Sequence, residues 1–228
     1  MIELTVLMPC LNEAEGIGLA ITEAASFIER SGVSAEILIA DNGSTDGSDK
    51  IARQLGARVI QVAEKGYGAA LIAGISAAEG KYIIMGDSDG SYDFLNLEPF
   101  LQKLREGYTL VVGNRYEGGI QKGAMPFSHQ YVGVPLLSFL GRLRYKTFIS
   151  DFHCGLRGFD RARALELGLR SPGMEFATEI IGAFALAREP ICQLPTTLRR
   201  DRRSGRPKLR TIRDGARHLR LIFLKELP

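Results

Sequence analysis

Through its first 113 residues the chain alternates short apolar runs with helix-patterned stretches, and this alternation limits the fold more than any other feature. "ELTVLMP", "AEILIAD", "ARVIQV", "KYIIMGD" and "YTLVVG" read as strands. Helices are expected between them: over about Glu13–Arg30, through "STDGSDKIARQL" with Ser44 or Thr45 as N-cap, over about Gly66–Ala78, and near 96–105. The strands are near-continuous in apolar residues rather than alternating, as happens when helices cover both faces of a sheet. A βαβ series of this kind makes an α/β fold with a mostly parallel, doubly wound, Rossmann-like central sheet.

Ligands on such sheets bind beyond the carboxyl ends of the strands, and the polar residues collect there. Pro9, Asn12 and Glu13 follow the first strand, Asp41 the second, Asp87 and Asp89 the fourth, and Arg115 the fifth. Two carboxylates one residue apart can address one point, and acids beside a dry core need a cation to meet them. A hard divalent ion, Mg²⁺ or Mn²⁺, takes oxygen ligands and neutralises a diphosphate beside it. Turn chemistry competes with this reading, because both "DSDG" and "DNGSTDGS" suit Asx turns and caps. "KGYGAALIAG", from Lys65 and Gly66, is glycine-rich at a helix start, which serves ligand approach or tight packing on the sheet equally well. It is neither a Walker A, lacking GK[ST], nor a Rossmann fingerprint, since it follows the third strand.

Past residue 113 the pattern is less regular. A loop is expected at 117–124, a helix from about Ser128 to Lys146, a short strand at "CGLRGF", a helix from Met174 to Ala187 and a strand at "ICQLPTT". Charge divides along the chain: residues 1–120 hold 9 basic and 17 acidic residues, and residues 121–228 hold 20 and 9. That polarity fits an acidic half holding a metal and a basic half meeting phosphates, with a solvated basic tail as the plainer account. "DRRSGRPK" crowds arginines, a lysine and a glycine into a stretch suited to clamping phosphate. From Leu209 onward, Leu209, Ile212, Ala216, Leu219 and Phe223 share one helical face beside a stripe of arginines, a pattern fit for an anionic membrane surface or for packing on a core.

Chain-wide features narrow the setting. No run of eighteen apolar residues occurs, so no bilayer span is expected. "MIELTVLMPC" has no basic n-region and does not read as a signal peptide. The three cysteines, Cys10, Cys154 and Cys192, lie far apart as small core residues, consistent with a reducing cytoplasm.

Taken in order, "VLMPCLNEAEGI", "ILIADNGSTDGS", "KGYGAALIAG" and "GDSDGSYDF" resemble the family 2 glycosyltransferases of GT-A fold. "GNRY", "ISDFHCGLRGFDR" and "DRRSGRPKLRTIRDGARHL" are similar to the polyprenyl-phosphate sugar transferases within that family. The resemblance implies one catalytic domain over 1–228, with a nucleotide-sugar half at 1–113, an acceptor-side half at 114–208 and a basic, juxtamembrane helix at 209–228. It assigns Asp41 to the base, Asp87 to ribose or metal, Asp89 to the metal, and Pro9, Asn12, Glu13, Lys65 and Gly66 to the nucleotide. Arg115, Arg202 and Lys208 would face phosphates, and Asp151 would sit by the reacting centre as a positioning or base residue. Ser91, Glu175 and Arg157 are assigned to sugar or acceptor, and His153 reads as structural. The chain departs from the family at Asn42, usually Asp, at Ser91, a metal-binding Gln in some relatives, at Cys154, usually Ser, and at Pro207, which removes an N–H.

The implied activity is metal-dependent, inverting transfer of a hexose from a nucleotide diphosphate sugar, UDP-glucose or a relative, to a polyprenyl phosphate at the inner face of the cell membrane. No nucleic acid partner is expected, and a homo-oligomer is left open. Rival readings are a soluble transferase with a small or polysaccharide acceptor, a nucleotidyltransferase, and a non-catalytic nucleotide-sugar sensor.

Overall fold

The computed structural model describes residues 1–201 and 211–224. The expected strands form as β1 (Leu4–Cys10), β2 (Ala35–Asp41), β3 (Arg58–Gln61), β4 (Tyr82–Met85), β5 (Leu110–Asn114), β6 (Arg157–Asp160) and β7 (Ile191–Pro195). Helices α1 (Ile17–Ser31), α2 (Ser48–Gln54), α3 (Tyr67–Ala77) and α4 (Glu98–Arg105) connect them in the first half. The second half adds α5 (Arg115–Gly118), α6 (Val134–Tyr145), α7 (Arg161–Glu166), α8 (Phe176–Leu186) and α9 (Thr211–Leu224). A π turn over His129–Gly133 leads into α6.

The strands make one mixed α/β sheet in the order β3-β2-β1-β4-β6-β5-β7. All neighbours run parallel except at β6, which is antiparallel to both β4 and β5. The order reverses between β1 and β4, and a crevice at such a switch point is where ligands sit on doubly wound sheets. Side chains of β1 show why both faces need cover: Leu4, Val6 and Met8 pack on one side with α1, Leu7 on the other with Leu71 and Ile75 of α3. All four β1 residues are fully buried, and each such side chain contributes about 1.5–3 kcal/mol relative to exposure.

Several local expectations are corrected. Helix α1 begins at Ile17 rather than Glu13: residues 14–16 form a turn closed by the Glu13 carbonyl, which accepts from Gly16 and Ile17, and the Glu13 N–H is held by Ser48 Oγ at 2.8 Å. Helix α2 is not capped by Ser44 or Thr45: Gly47 holds the N-cap in a left-handed conformation, and Ser44 turns back onto Asp41. Helix α7 follows β6 directly, with Asp160 as its side-chain cap, and the sequence pattern did not reveal it. Helix α9 buries Asp214, His218, Leu221 and Ile222, while Leu219 and Phe223, from the face read as fit for a membrane surface or for packing on a core, stand 40% and 62% exposed.

Candidate functional site

A cavity of about 440 Å³ opens at the carboxyl edge of the sheet, bounded by the β4 and β5 ends, the loop before β6, and helices α6, α8 and α9. Its polar wall includes Asp87, Asp89, Ser91, Arg115, His153 and His218; its apolar wall includes Val134, Leu136, Leu137, Met174 and Leu219.

Strand β4 ends at Met85, so the two acids sit on the turn that follows rather than in the strand. That turn is tightly held. Ser88 Oγ donates to the Pro9 carbonyl at 2.9 Å, and the Ser91 N–H donates to Asp89 Oδ1 at 3.0 Å. Gly16 packs against the Asp89 backbone so closely that a Cβ there would come within 2.6–2.7 Å of it. The Tyr67 hydroxyl bonds Asp87, and burial, then the field of that carboxylate, pushes its pKa well above the usual phenol range. Tyr67 therefore stays protonated and donates a hydrogen bond to Asp87.

Arg115 is the first residue of α5, positioned where β5 reaches the cavity. Its Nε and Nη2 donate to the two Asp151 oxygens at 2.7 and 2.8 Å, and its backbone N–H adds a third bond at 3.1 Å. The His153 N–H donates to the same carboxylate at 3.2 Å. Arg115 is 6% exposed and Asp151 0%. With both oxygens engaged in a dry setting, Asp151 has the geometry of a residue that positions Arg115 rather than of one that removes a proton.

Behind β1 and β2, Asn42 organises the loops. Its amide donates to the Val62 and Glu64 carbonyls at 3.2 and 2.6 Å, and its Oδ1 accepts the Gly66 N–H at 2.8 Å. Lys65 Nζ donates to the Asn42 carbonyl at 2.6 Å. An aspartate, expected from the family at this position, has no N–H to give those two carbonyls. Asp41 accepts from the N–H groups of Gly43 and Ser44 and from Ser44 Oγ, the Asx-type turn foreseen as its plainer role. Asn12 lies in a left-handed conformation and bridges to the same loop through Thr45 N–H at 2.8 Å.

The glycines of "KGYGAALIAG" serve packing. A Cβ at Gly66 would lie 2.0 Å from the Pro172 carbonyl oxygen, one at Gly68 2.0 Å from that of Ser171, and one at Gly74 2.4 Å from Leu7. Helix α3 is thereby pressed onto the 171–173 turn and onto β1.

Two of the residues assigned to sugar or acceptor are corrected. Arg157 is fully buried, and its Nε, Nη1 and Nη2 donate to the carbonyls of Cys154, Ala177 and Phe152, each at 2.8 Å. Its guanidinium ties the loop before β6 to α8 and does not line the cavity. Glu175 also lies off the cavity, buried, with Arg217 at 3.8 Å. Its neighbour Glu179 is not a solvated acid either: it holds the N–H groups of Arg170 and Ser171. Arg202 and Lys208 fall outside the described residues. The thiols are inert core groups, burial pushing Cys10 up to about 11 and Cys154 up to about 12.

Asp87 and Asp89 both line this cavity and are the side chains that could hold a divalent metal. Among the described residues no cluster of three His, Cys, Asp or Glu forms a closed metal cage. Two carboxylates on an open cavity are the donor set Mg²⁺ takes when phosphates and water complete its shell, so the residues fit.

Comparison with known proteins decides the family. The model for glycosyl transferase family 2 matches residues 5–167. The chain belongs to this family. Among curated relatives of this family 2 glycosyltransferase, the low-salt glycan biosynthesis hexosyltransferase Agl6 of Haloferax volcanii is 37% identical over 97% of the chain. The chain spans about half, 53%, of that relative's length. A dolichyl-phosphate hexose transferase of the same organism is 28% identical over 94% of this chain and 90% of its own length. Among solved structures, glucosyl-3-phosphoglycerate synthase from Mycobacterium tuberculosis, in complex with Mn²⁺, UDP and phosphoglyceric acid, superposes with a TM-score of 0.73. It is 24% identical and covers 96% of this chain and 76% of that one, which establishes a shared GT-A fold.

Proposed function

We propose that this glycosyltransferase moves a hexose from a UDP-sugar, UDP-glucose or a close relative, to a polyprenyl phosphate, with inversion and with Mg²⁺ or Mn²⁺. The observation that carries the reading is the two-sided cavity. Its acids and Arg115 suit a nucleotide diphosphate and a phosphate, and its opposite wall of Val134, Leu136, Leu137 and Leu219 suits a hydrocarbon chain. Leu136 and Leu219 are also 54% and 40% exposed, so the apolar wall runs out onto the surface. There it meets exposed Tyr131, Val132, Phe139 and Leu143 of the α6 segment and Phe223 of α9, with arginines alongside. An apolar patch rimmed by cations fits the surface of an anionic membrane. No helix among the described residues is long and apolar enough to cross one. The dolichyl-phosphate hexose transferase and the UDP- and Mn²⁺-bound synthase add support by analogy.

In this reading residues 1–113 bind the donor, 114–208 the acceptor, and 209–228 the membrane surface at the cytoplasmic face. Asp89, with Asp87, would hold the metal, which when bound offsets charge on the leaving diphosphate. Arg115, locked by Asp151, holds phosphate oxygens at the reacting centre. An acceptor phosphate, with a second pKa of about 6, is already largely ionised at neutral pH and needs no base. The test is a panel of nucleotide sugars with and without undecaprenyl phosphate, scored for released nucleotide. Release of UDP that depends on the lipid phosphate supports the proposal; release that depends only on a soluble sugar acceptor overturns it.

A further inference from the structure

His153 stands out among the polar groups of the cavity. Both of its ring nitrogens are shielded from solvent and bond to nothing among the described residues. Buried polar atoms are seldom left so, because the desolvation they suffer goes uncompensated. The hydroxyls of Tyr145 and Ser171 also lack partners, but neither lines the cavity, whereas His153 does. The ring is fixed in place. Its backbone N–H is tied to Asp151, and its ring packs edge-on against His218 of α9, centroids 4.6 Å apart. His218 is in turn held by Thr178 of α8, with 2.7 Å between Nδ1 and Oγ1. The loop before β6, α8 and α9 thus converge on an unused imidazole that lines the cavity.

Charges of both signs stand near the ring: Arg115 lines the cavity, and so do Asp87, Asp89, Asp201 and Asp214. Arg115 is balanced by Asp151, but Arg157 touches only main-chain carbonyls and has no carboxylate within ion-pair distance among the described residues. We propose that His153, backed by His218, binds the phosphate of the acceptor, a ring N–H donating to a non-bridging phosphoryl oxygen. The inference rests on the polyprenyl-phosphate reading and adds to it a residue the family motif does not supply. Burial, then His218, Arg115 and Arg157, hold the proton affinity of His153 well below the usual histidine range. The ring therefore meets the phosphate in its neutral form, with the N–H of one nitrogen to donate.

Only three histidines occur in the chain, so their imidazole ¹⁵N resonances can be assigned from single variants. The full chain is titrated with citronellyl phosphate, a short prenyl phosphate, and separately with UDP and Mg²⁺. The expected result is that citronellyl phosphate moves the His153 nitrogens more than UDP with Mg²⁺ does. The reverse order would assign the imidazole to the donor diphosphate and overturn the proposal. In kinetics, His153→Phe should raise KM for the prenyl phosphate by about tenfold to a hundredfold, the loss of one hydrogen bond to a charged group. KM for the UDP-sugar should stay put, and His153→Gln, which keeps an N–H donor, should recover part of the loss. Turnover of citronellyl phosphate by the native protein with His153 unmoved removes this role alone. Absence of turnover with any prenyl phosphate removes the acceptor reading and this role with it.

Discussion

Substituting Asp151 by Asn tests the reasoning about the cavity floor at its most demanding point. The native carboxylate accepts two guanidinium N–H groups and two backbone N–H groups in a place with no solvent exposure. Asparagine is nearly isosteric, so packing is preserved, but one acceptor oxygen becomes an NH₂ facing donors, and Arg115 keeps its charge without a counter-ion. Removing one partner of a buried pair costs about 3–5 kcal/mol. For a chain of this size each kcal/mol moves Tm by about 2–4 °C, so the variant should melt roughly 6–20 °C lower. Urea titration followed by circular dichroism gives the free energy, and a scanning melt gives Tm. The companion double variant Arg115→Met with Asp151→Leu removes both charges and should recover most of the stability, while remaining inactive. A loss below about 1 kcal/mol for Asp151→Asn would refute the claim that the pair is dry and tightly coupled.

The remaining predictions concern neighbouring parts. Asp89→Ala should abolish the strengthening of UDP binding by Mn²⁺ in calorimetry; unchanged binding would remove Asp89 from the metal. Gly68→Ala, whose Cβ meets the Ser171 carbonyl at 2.0 Å, should destabilise by about 1–3 kcal/mol in urea unfolding. Asn42→Asp should cost about 2–3 kcal/mol, since it turns two donated bonds into carbonyl–carboxylate contacts. His218 has its pKa lowered to about 4 by burial, against partial relief from Glu175 and Asp214. A depressed folded-state value means the unfolded chain binds the extra proton, so this stability is present above pH 6.5 and is lost as pH falls toward 4. Between pH 6.5 and 5 the native protein should lose about 2 kcal/mol that His218→Gln does not lose.

Much of the first 113 residues was legible because their signals are local. Strand content, helix spacing and the gathering of Asp41, Asp87 and Asp89 at one edge follow from apolar runs and the rule for parallel sheets. What escaped depends on partners far apart in sequence. Arg157 looked available because arginine is usually exposed, and nothing in "CGLRGF" shows that three carbonyls wait for it. The glycines after Lys65 could not be assigned, because the turn that fills their space lies a hundred residues on. The direction of β6 and its place between β4 and β5 leave no mark on a four-residue strand. In helix α9 the burial of Asp214 and His218 beside Leu221 and Ile222 was not legible, because it depends on what α6 and α8 present to it.

The antiparallel course of β6 has a consequence for how such an enzyme could change its acceptor. Strands β5 and β6 are hydrogen-bonded neighbours, with Val112 opposite Arg157, so the chain leaves the sheet after Asn114 and re-enters it at Arg157 on the same edge. Residues 115–156 therefore form one long excursion whose two feet stand side by side at the cavity, and α6 is carried on it. The cost of closing such a loop rises by only about 0.6 kcal/mol for each doubling of its length. Strands β1, β2 and β3 pair with one another and with β4, and touch none of the strands that flank the excursion. The length and apolar content of the excursion can therefore drift while Arg115 and Asp151, one at each foot, keep the two ends clasped.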